Sequence, residues 1–266
     1  VEWVFQNDPI TASTRGVETY NDRLPDLGPA AVERRLQETR GFLERLNGID
    51  PVSLTEADRT DAGLLRWTLE RTIEGGKFHP EQLGVDVQSG PQIWLPQMAA
   101  SLPFRTSQQY HDYATRLEGT AALLDQTIEQ LRRGLAAKRT QPRIVMRGVA
   151  DQARQNATDD LLESPALSPF YAPFRARPEA DPDAARARAA IATGIIPALR
   201  RFASFIETEY LPACRDQIAC SAGVDGPAAY AFALKGHTTL DLTPDQVHQR
   251  GLDEVARIRA EMLTVI

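Results

Sequence analysis

The chain has 266 residues, 42% hydrophobic and 25% charged, with a formal charge of −6. That is an ordinary globular balance, and a chain of this size can bury a core without disulfide or metal staples. The mild acidity favours solubility and gives no clustered basic footprint for nucleic acid. The longest apolar patches, such as Ile191 to Leu199, fall short of the roughly 20 residues a membrane helix needs. The chain opens on Val1 rather than Met, so an upstream segment is expected to have been removed.

Residues 1–27 are rich in Asn, Asp, Pro and Gly and read as irregular. Pro29 opens the first helix at a position where its missing N–H costs nothing. Val32, Leu36, Leu43 and Leu46 recur on one face, and Asn47-Gly48 and Asp50-Pro51 stop it. Thr55 caps a second helix, with Asp58 in its first turn. Leu65, Leu69 and Ile73 form its stripe, Trp67 anchors a second face, and Gly75-Gly76 ends it.

Residues 77–105 break the helical rhythm with prolines, glycines and large apolar side chains. Val85 and Val87 alternate with polar neighbours, which allows a short strand. A long apolar connection of this kind is often functional or packed over a core. Thr106 and Gln109 then form a capping box. Tyr110, Tyr113, Leu117, Ala121, Leu124, Ile128, Leu131 and Leu135 follow in steps of three and four. A helix from Ser107 to Lys138 would run roughly 50 Å and serve as a bundle spine.

Pro142 opens a helix marked by Ile144, Val145, Val149 and Leu161. Residues 164–182 are a second break rich in Pro and aromatics. Asp181-Pro182 caps a helix that continues through Ile191, Ile195, Leu199, Phe202 and Ile206 to Leu211, with a kink expected at Pro197 and an end or bend at Pro212. Gly226-Pro227 begins a short helix through Tyr230 and Leu234. Thr243, Pro244 and Gln246 signal the last helix, whose Val247, Leu252, Val255, Ile258 and Met262 run to the chain end with no stop signal. The sequence therefore predicts an all-α fold: an elongated multi-helix bundle with long kinked helices and two irregular, Pro/aromatic-rich connections. Residues 1–266 read as one helical domain, the N-terminal lobe of a longer polypeptide.

Catalytic motifs are sparse. The four histidines, His79, His111, His237 and His248, form no HExxH and no pair three or four residues apart. There is no GxSxG elbow and no phosphate loop. Cys214 and Cys220 fit neither a zinc knuckle nor a redox CxxC; two free thiols or a local disulfide both remain open. No catalytic residue and no metal ligand is assigned. Two stretches could bind a ligand. His237, Thr238 and Thr239, with Tyr230 nearby, sit before a strong helix cap and could offer donors. Gln88 and Gln97 border the apolar SGPQIWLPQ segment. The plainer alternatives are backbone capping by the threonines and packing of Trp94 and Leu95 beside surface amides.

Five blocks carry a family resemblance: RLPDLGPAAVERRL, LPFRTSQQYHDYATRL, LSPFYAPF, EYLPACRD and HTTLDLTPDQVHQRGLDEVARIRAEM. In this order, from Arg23 to Met262, they resemble the N-terminal half of the bacterial "domain of unknown function 885" proteins. The resemblance implies a helical zinc-metallopeptidase-like hydrolase about twice this length, with an HExxxGHH-like motif in the half that has no counterpart here. None of the family's metal ligands maps onto this chain, so no cofactor is expected in it, and zinc is implied for the parent. The expected role is the wall of a substrate cleft, with the C-terminal half as partner and a peptide as substrate. Export, as a periplasmic protein or lipoprotein, is implied in the same way. An exposed apolar face could also drive dimerisation. The alternative is a non-catalytic helical module that binds a peptide or a protein.

Overall fold

The computed structural model describes residues 1–265. In chain order its helices are α1 (Glu2–Asn7), α2 (Pro9–Thr14), α3 (Pro29–Asn47), α4 (Glu56–Gly75), α5 (Pro91–Gln97), α6 (Ser107–Ala136), α7 (Arg143–Met146), α8 (Val149–Gln155), α9 (Asp159–Glu163), α10 (Pro182–Ala213), α11 (Gly226–Thr238) and α12 (Pro244–Val265). The fold is all-α, and no strand occurs among the described residues. The Val85–Val87 stretch is not a strand. Val85 is buried, and the Val87 N–H donates to the Val145 carbonyl at 2.9 Å without a ladder beside it.

The local signals that open helices act as read. Thr55 Oγ1 accepts the Asp58 N–H at the start of α4. Thr106 and Gln109 form the capping box of α6: Oγ1 accepts the Gln109 N–H, and Gln109 Oε1 accepts the Thr106 N–H. Thr243 and Gln246 do the same for α12. Asp181 Oδ1 accepts the N–H groups of Asp183 and Ala184 ahead of α10, while Oδ2 receives Arg177 at 2.6 Å.

Three readings are corrected. The segment after Pro142 is three short helices rather than one. Gly148 at φ 91° breaks the chain after α7, and Thr158 caps a new start at Asp159. Residues 1–27, expected to be irregular, hold α1 and α2. The two breaks, the first irregular over residues 84–90 and 102–105, also contain short helical turns, including α5 and a 3₁₀ run over Pro169–Ala176. Pro80, Pro91, Pro165 and Pro169 sit at first positions, where proline fits a helical turn, while Pro96 and Pro173 lie inside their turns.

The chain divides into two compact units: Val1–Glu38 with His79–Ile218, and Thr39–Phe78 with Ala219–Ile266. In the first, α6 and α10 are the central pair. Tyr113, Leu117, Leu124 and Leu131 from α6 meet Ile191, Ile195, Leu199, Phe202 and Ile206 from α10, all in one buried cluster. Phe170 and Phe174 close one end, and the Tyr113 hydroxyl donates to the Phe170 carbonyl at 3.0 Å.

By length and composition α10 could cross a membrane, which goes beyond the sequence reading. It is 32 residues long with a mean hydropathy of 1.3 in its most apolar window, yet 56% of that window is buried inside the protein, as in a core helix. Pro197 and Pro212 lie within it, and each is preceded by a widened π-helical stretch, Ala190–Ile195 and Ile206–Tyr210. A proline ring collides with the carbonyl four residues earlier, and a wider turn moves that carbonyl aside. The residues four before each proline are Thr193 and Thr208. Their hydroxyls donate to the carbonyls of Ala189 and Ser204 at 2.8 Å.

The second unit is thin. Arg71 of α4 lies over the rings of Trp67 and of Phe232 on α11, and donates to the Phe232 carbonyl at 3.3 Å. Phe78 meets Phe232 at 5.3 Å. Gly236 permits this packing, since a Cβ there would strike the Arg71 guanidinium. Helix α12 has no buried residue: Leu252, Val255, Ile258, Met262 and Leu263 are all exposed.

Candidate functional site

A concavity with a volume of about 640 Å³ lies in the first unit. That is within the range of small-molecule and peptide side-chain sites. Its apolar lining is Ile10, Pro25, Leu27, Trp94 and Met98; its polar lining is Asn7, Asp8, Asp26, Arg35, Gln97 and Ser101. One lip is the segment around Asp26 and Leu27, and α6 holds it. Gln126 Oε1 accepts the Leu27 N–H at 2.9 Å, and Gln130 Nε2 donates to the Leu27 carbonyl at 2.8 Å. These two glutamines are four apart and share one helical face. The opposite lip is α5, which Gly90 and Pro91 start.

Most polar groups in this groove already have tasks. Asp8 caps α2 through the Thr11 N–H and hydroxyl. Asp26 Oδ1 accepts from Gly28 N–H and from Gln126. Asn7 donates to the Trp3 carbonyl, and Ser101 to the Met98 carbonyl. Arg35 donates to the Asp26 carbonyl at 2.7 Å. Burial lowers its pKa, an effect the Asp26 charge opposes. The groove lining contains no histidine or cysteine. An aromatic and aliphatic floor with arginine, indole and amide groups at its edge suits an amphipathic ligand.

The sequence candidates are scattered. Gln97 and Trp94 do line the groove. Gln88 does not; its N–H closes a turn on Asp86 Oδ1. His237 and Thr238 lie in the last turn of α11, not in a loop, and Thr239 ends that helix with φ 59°. The Thr238 hydroxyl serves the backbone at Leu234 and Leu240. Tyr230 and His237 are seven apart on α11, hence on one face, and both are exposed. Among the described residues no three His, Cys, Asp or Glu side chains gather as a metal-binding group. Both cysteines are free, and burial pushes the Cys214 thiol up to about 11.

A polar centre that the sequence reading overlooked lies under the N-terminal segment. Arg116 of α6 is 1% exposed. It donates to the carbonyls of Arg23 at 2.9 Å, Pro9 at 3.1 Å and Tyr20 at 2.9 Å, and to Ser13 Oγ at 2.6 Å. Burial pushes its pKa down to about 10, against the charges of Asp112 and Asp22. One arginine thus fixes the course of residues 9–23, which lead into the groove lip. The available signal was its place three residues after Tyr113 on the buried stripe.

Comparison with known proteins bears on this geometry. The profile of the family described as "Bacterial protein of unknown function (DUF885)" matches residues 9–266. No curated protein matches the chain. The crystal structure of a "putative lipoprotein from Colwellia psychrerythraea" is similar in fold, with a TM-score of 0.82 at 19% identity. The match covers 97% of this chain and 48% of the other, so the chain spans about half the length of that protein. The chain belongs to the bacterial DUF885 family.

Proposed function

We propose that this DUF885 chain is the helical, substrate-cleft-forming portion of a zinc-metallopeptidase-like hydrolase, and that the zinc ligands lie outside residues 1–266. The observation that supports this most is α12. A 22-residue helix that leaves Val255, Ile258 and Met262 at 66%, 46% and 60% exposure has an apolar face in want of a partner. In this reading the partner is a C-terminal half of the same polypeptide. The double length of the Colwellia protein is consistent with that, and its description as a "putative lipoprotein" supports an exported location. Substrate is a peptide. Trp94 and Gln97 supply a binding wall.

The test compares this chain with a longer product of its own gene. Zinc content and release of amines from a casein digest are measured for both. The expected result is no stoichiometric zinc and no turnover for residues 1–266, and both for the longer product. Tight zinc with peptidase activity in this chain alone, or a longer product without either, overturns the proposal. The groove, with a binding lining and no histidine or cysteine, favours one second reading, a non-catalytic peptide-binding module. Saturable peptide binding together with a stop codon directly after Ile266 would support that module instead.

A further inference from the structure

A small cavity in the first unit is lined by Asn21, Leu102, Pro103, Phe104, Gln109, Tyr113 and Arg116, and its accessible space is about 10 Å³. That is room for about one water molecule. Most polar groups on its wall are spoken for. The Tyr113 hydroxyl donates to Phe170, and the Gln109 amide serves Glu18, Arg105 and Thr106. Two buried atoms are left without a partner: Arg116 Nη1 and Asn21 Oδ1. Their residues are 1% and 7% exposed. A buried donor or acceptor left unpaired is costly, and the natural remedy is an internal water.

We infer that this cavity is a binding site for a single structural water, which accepts from Arg116 Nη1 and donates to Asn21 Oδ1. The choice of water over a small anion rests on hydrogen-bond sense and charge. An anion can only accept, so it would face the Asn21 carbonyl oxygen with like polarity. The nearby charges also oppose it. Glu18 bonds Gln109, and Asp22 and Asp112 both act on Arg116. Water has both a donor and an acceptor to offer. With it, the Arg116 guanidinium meets a partner on each of its three nitrogens. The three carbonyls it gathers, from Pro9, Tyr20 and Arg23, tie the N-terminal segment to α6. The water is then the last element of the joint that shapes one side of the groove.

The test uses the unaltered protein. Crystals are grown once from chloride and once from bromide, and water–protein cross-relaxation is measured in solution. The expected result is one density peak within hydrogen-bond distance of both atoms, no anomalous signal in bromide, and a long-lived water cross-peak to Arg116 side-chain protons. An empty cavity, a direct Arg116–Asn21 hydrogen bond, or an anomalous bromide peak at the site would each overturn the assignment.

Discussion

The two units solve the problem of burial in opposite ways. In the first, α6 and α10 pack Tyr113, Leu117, Leu124, Ile195, Leu199 and Phe202 at 2% exposure or less. In the second, the buried hydrophobic side chains among the described residues are Leu46 and Leu69, both at 8%. Leu64, Leu65, Trp67, Tyr230, Leu240 and the α12 stripe stay open. The first unit has a core of its own. The second has an arginine clamped between two aromatic rings and surplus apolar surface. The contrast teaches that helical periodicity reports a face that wants covering, and is silent about whether the cover is present.

The sharpest way to break this comparison is one truncation in each unit. Phe202→Ala empties a fully buried site and should cost about 3–5 kcal/mol. Ile258→Ala, on the open face of α12, should change stability by no more than about 0.5 kcal/mol. Urea denaturation of the two variants reads both values. A cost for Ile258 comparable to that of Phe202 would mean α12 is already covered in solution.

Next in size is Arg116→Met. It strips partners from three backbone carbonyls at once, for an expected loss of about 3 kcal/mol. Limited proteolysis should then find new cleavage sites within residues 9–23, which urea curves alone would not reveal.

The way these two positions looked in the sequence shows what was legible. Phe202 belongs to a run of apolar residues at helical spacing, the pattern of a core-facing stripe. Arg116 is one of many arginines in helices, and its place three residues after Tyr113 is a faint local mark of burial. Its partners Pro9, Ser13, Tyr20 and Arg23 come from about a hundred residues earlier, and only folding brings them together. Caps at Thr55, Thr106, Asp181 and Thr243 were legible because donor and acceptor lie within three residues. The groove was half legible. Trp94 and Gln97 stood out in a segment that breaks helical rhythm, whereas Arg35, Asp8 and Leu27 had no reason to be read beside them. The small residues Gly236–Thr239 favour a turn by composition, but the glycine leaves room for Arg71 and the helix runs on to Thr238.

Gly134→Ala sharpens the picture of the first unit. A Cβ there would lie 2.9 Å from the Arg139 carbonyl and 3.0 Å from that of Gln82. Backbone cannot step aside as a flexible side chain can, so a net loss of about 1–2 kcal/mol is expected even after the gain in helix propensity. Gly236→Ala in the second unit meets only the mobile end of Arg71. Lost stacking and gained propensity should nearly cancel, leaving a change within about 0.5 kcal/mol by thermal melting.

The acid response offers a gentler probe. Burial opposes the charge on Asp181, yet Arg177 and the N–H groups of Ala184 and Asp183 outweigh it and hold its carboxyl below the ordinary value. A depressed folded-state pKa gives stability that is complete above the unfolded value of about 3.9 and disappears as pH falls through the folded one. Asp181→Asn keeps a capping oxygen but no charge. The Tm gap between wild type and this variant should be constant above about pH 5 and narrow on further acidification.

The widened stretches ahead of Pro197 and Pro212 have a consequence for how this sequence can change over time. Each holds one residue more than a regular helix needs for the same path. Losing a single residue between Ala190 and Ile195 would close the wide turn to a regular one, and Phe202 and Ile206 would keep their facing toward the core. The penalty would fall on Pro197 instead, whose ring would then meet the carbonyl four residues earlier. A deletion there should therefore be tolerated better when Pro197 is replaced at the same time, whereas a deletion in a regular stretch of α6 would turn everything after it by about 100°.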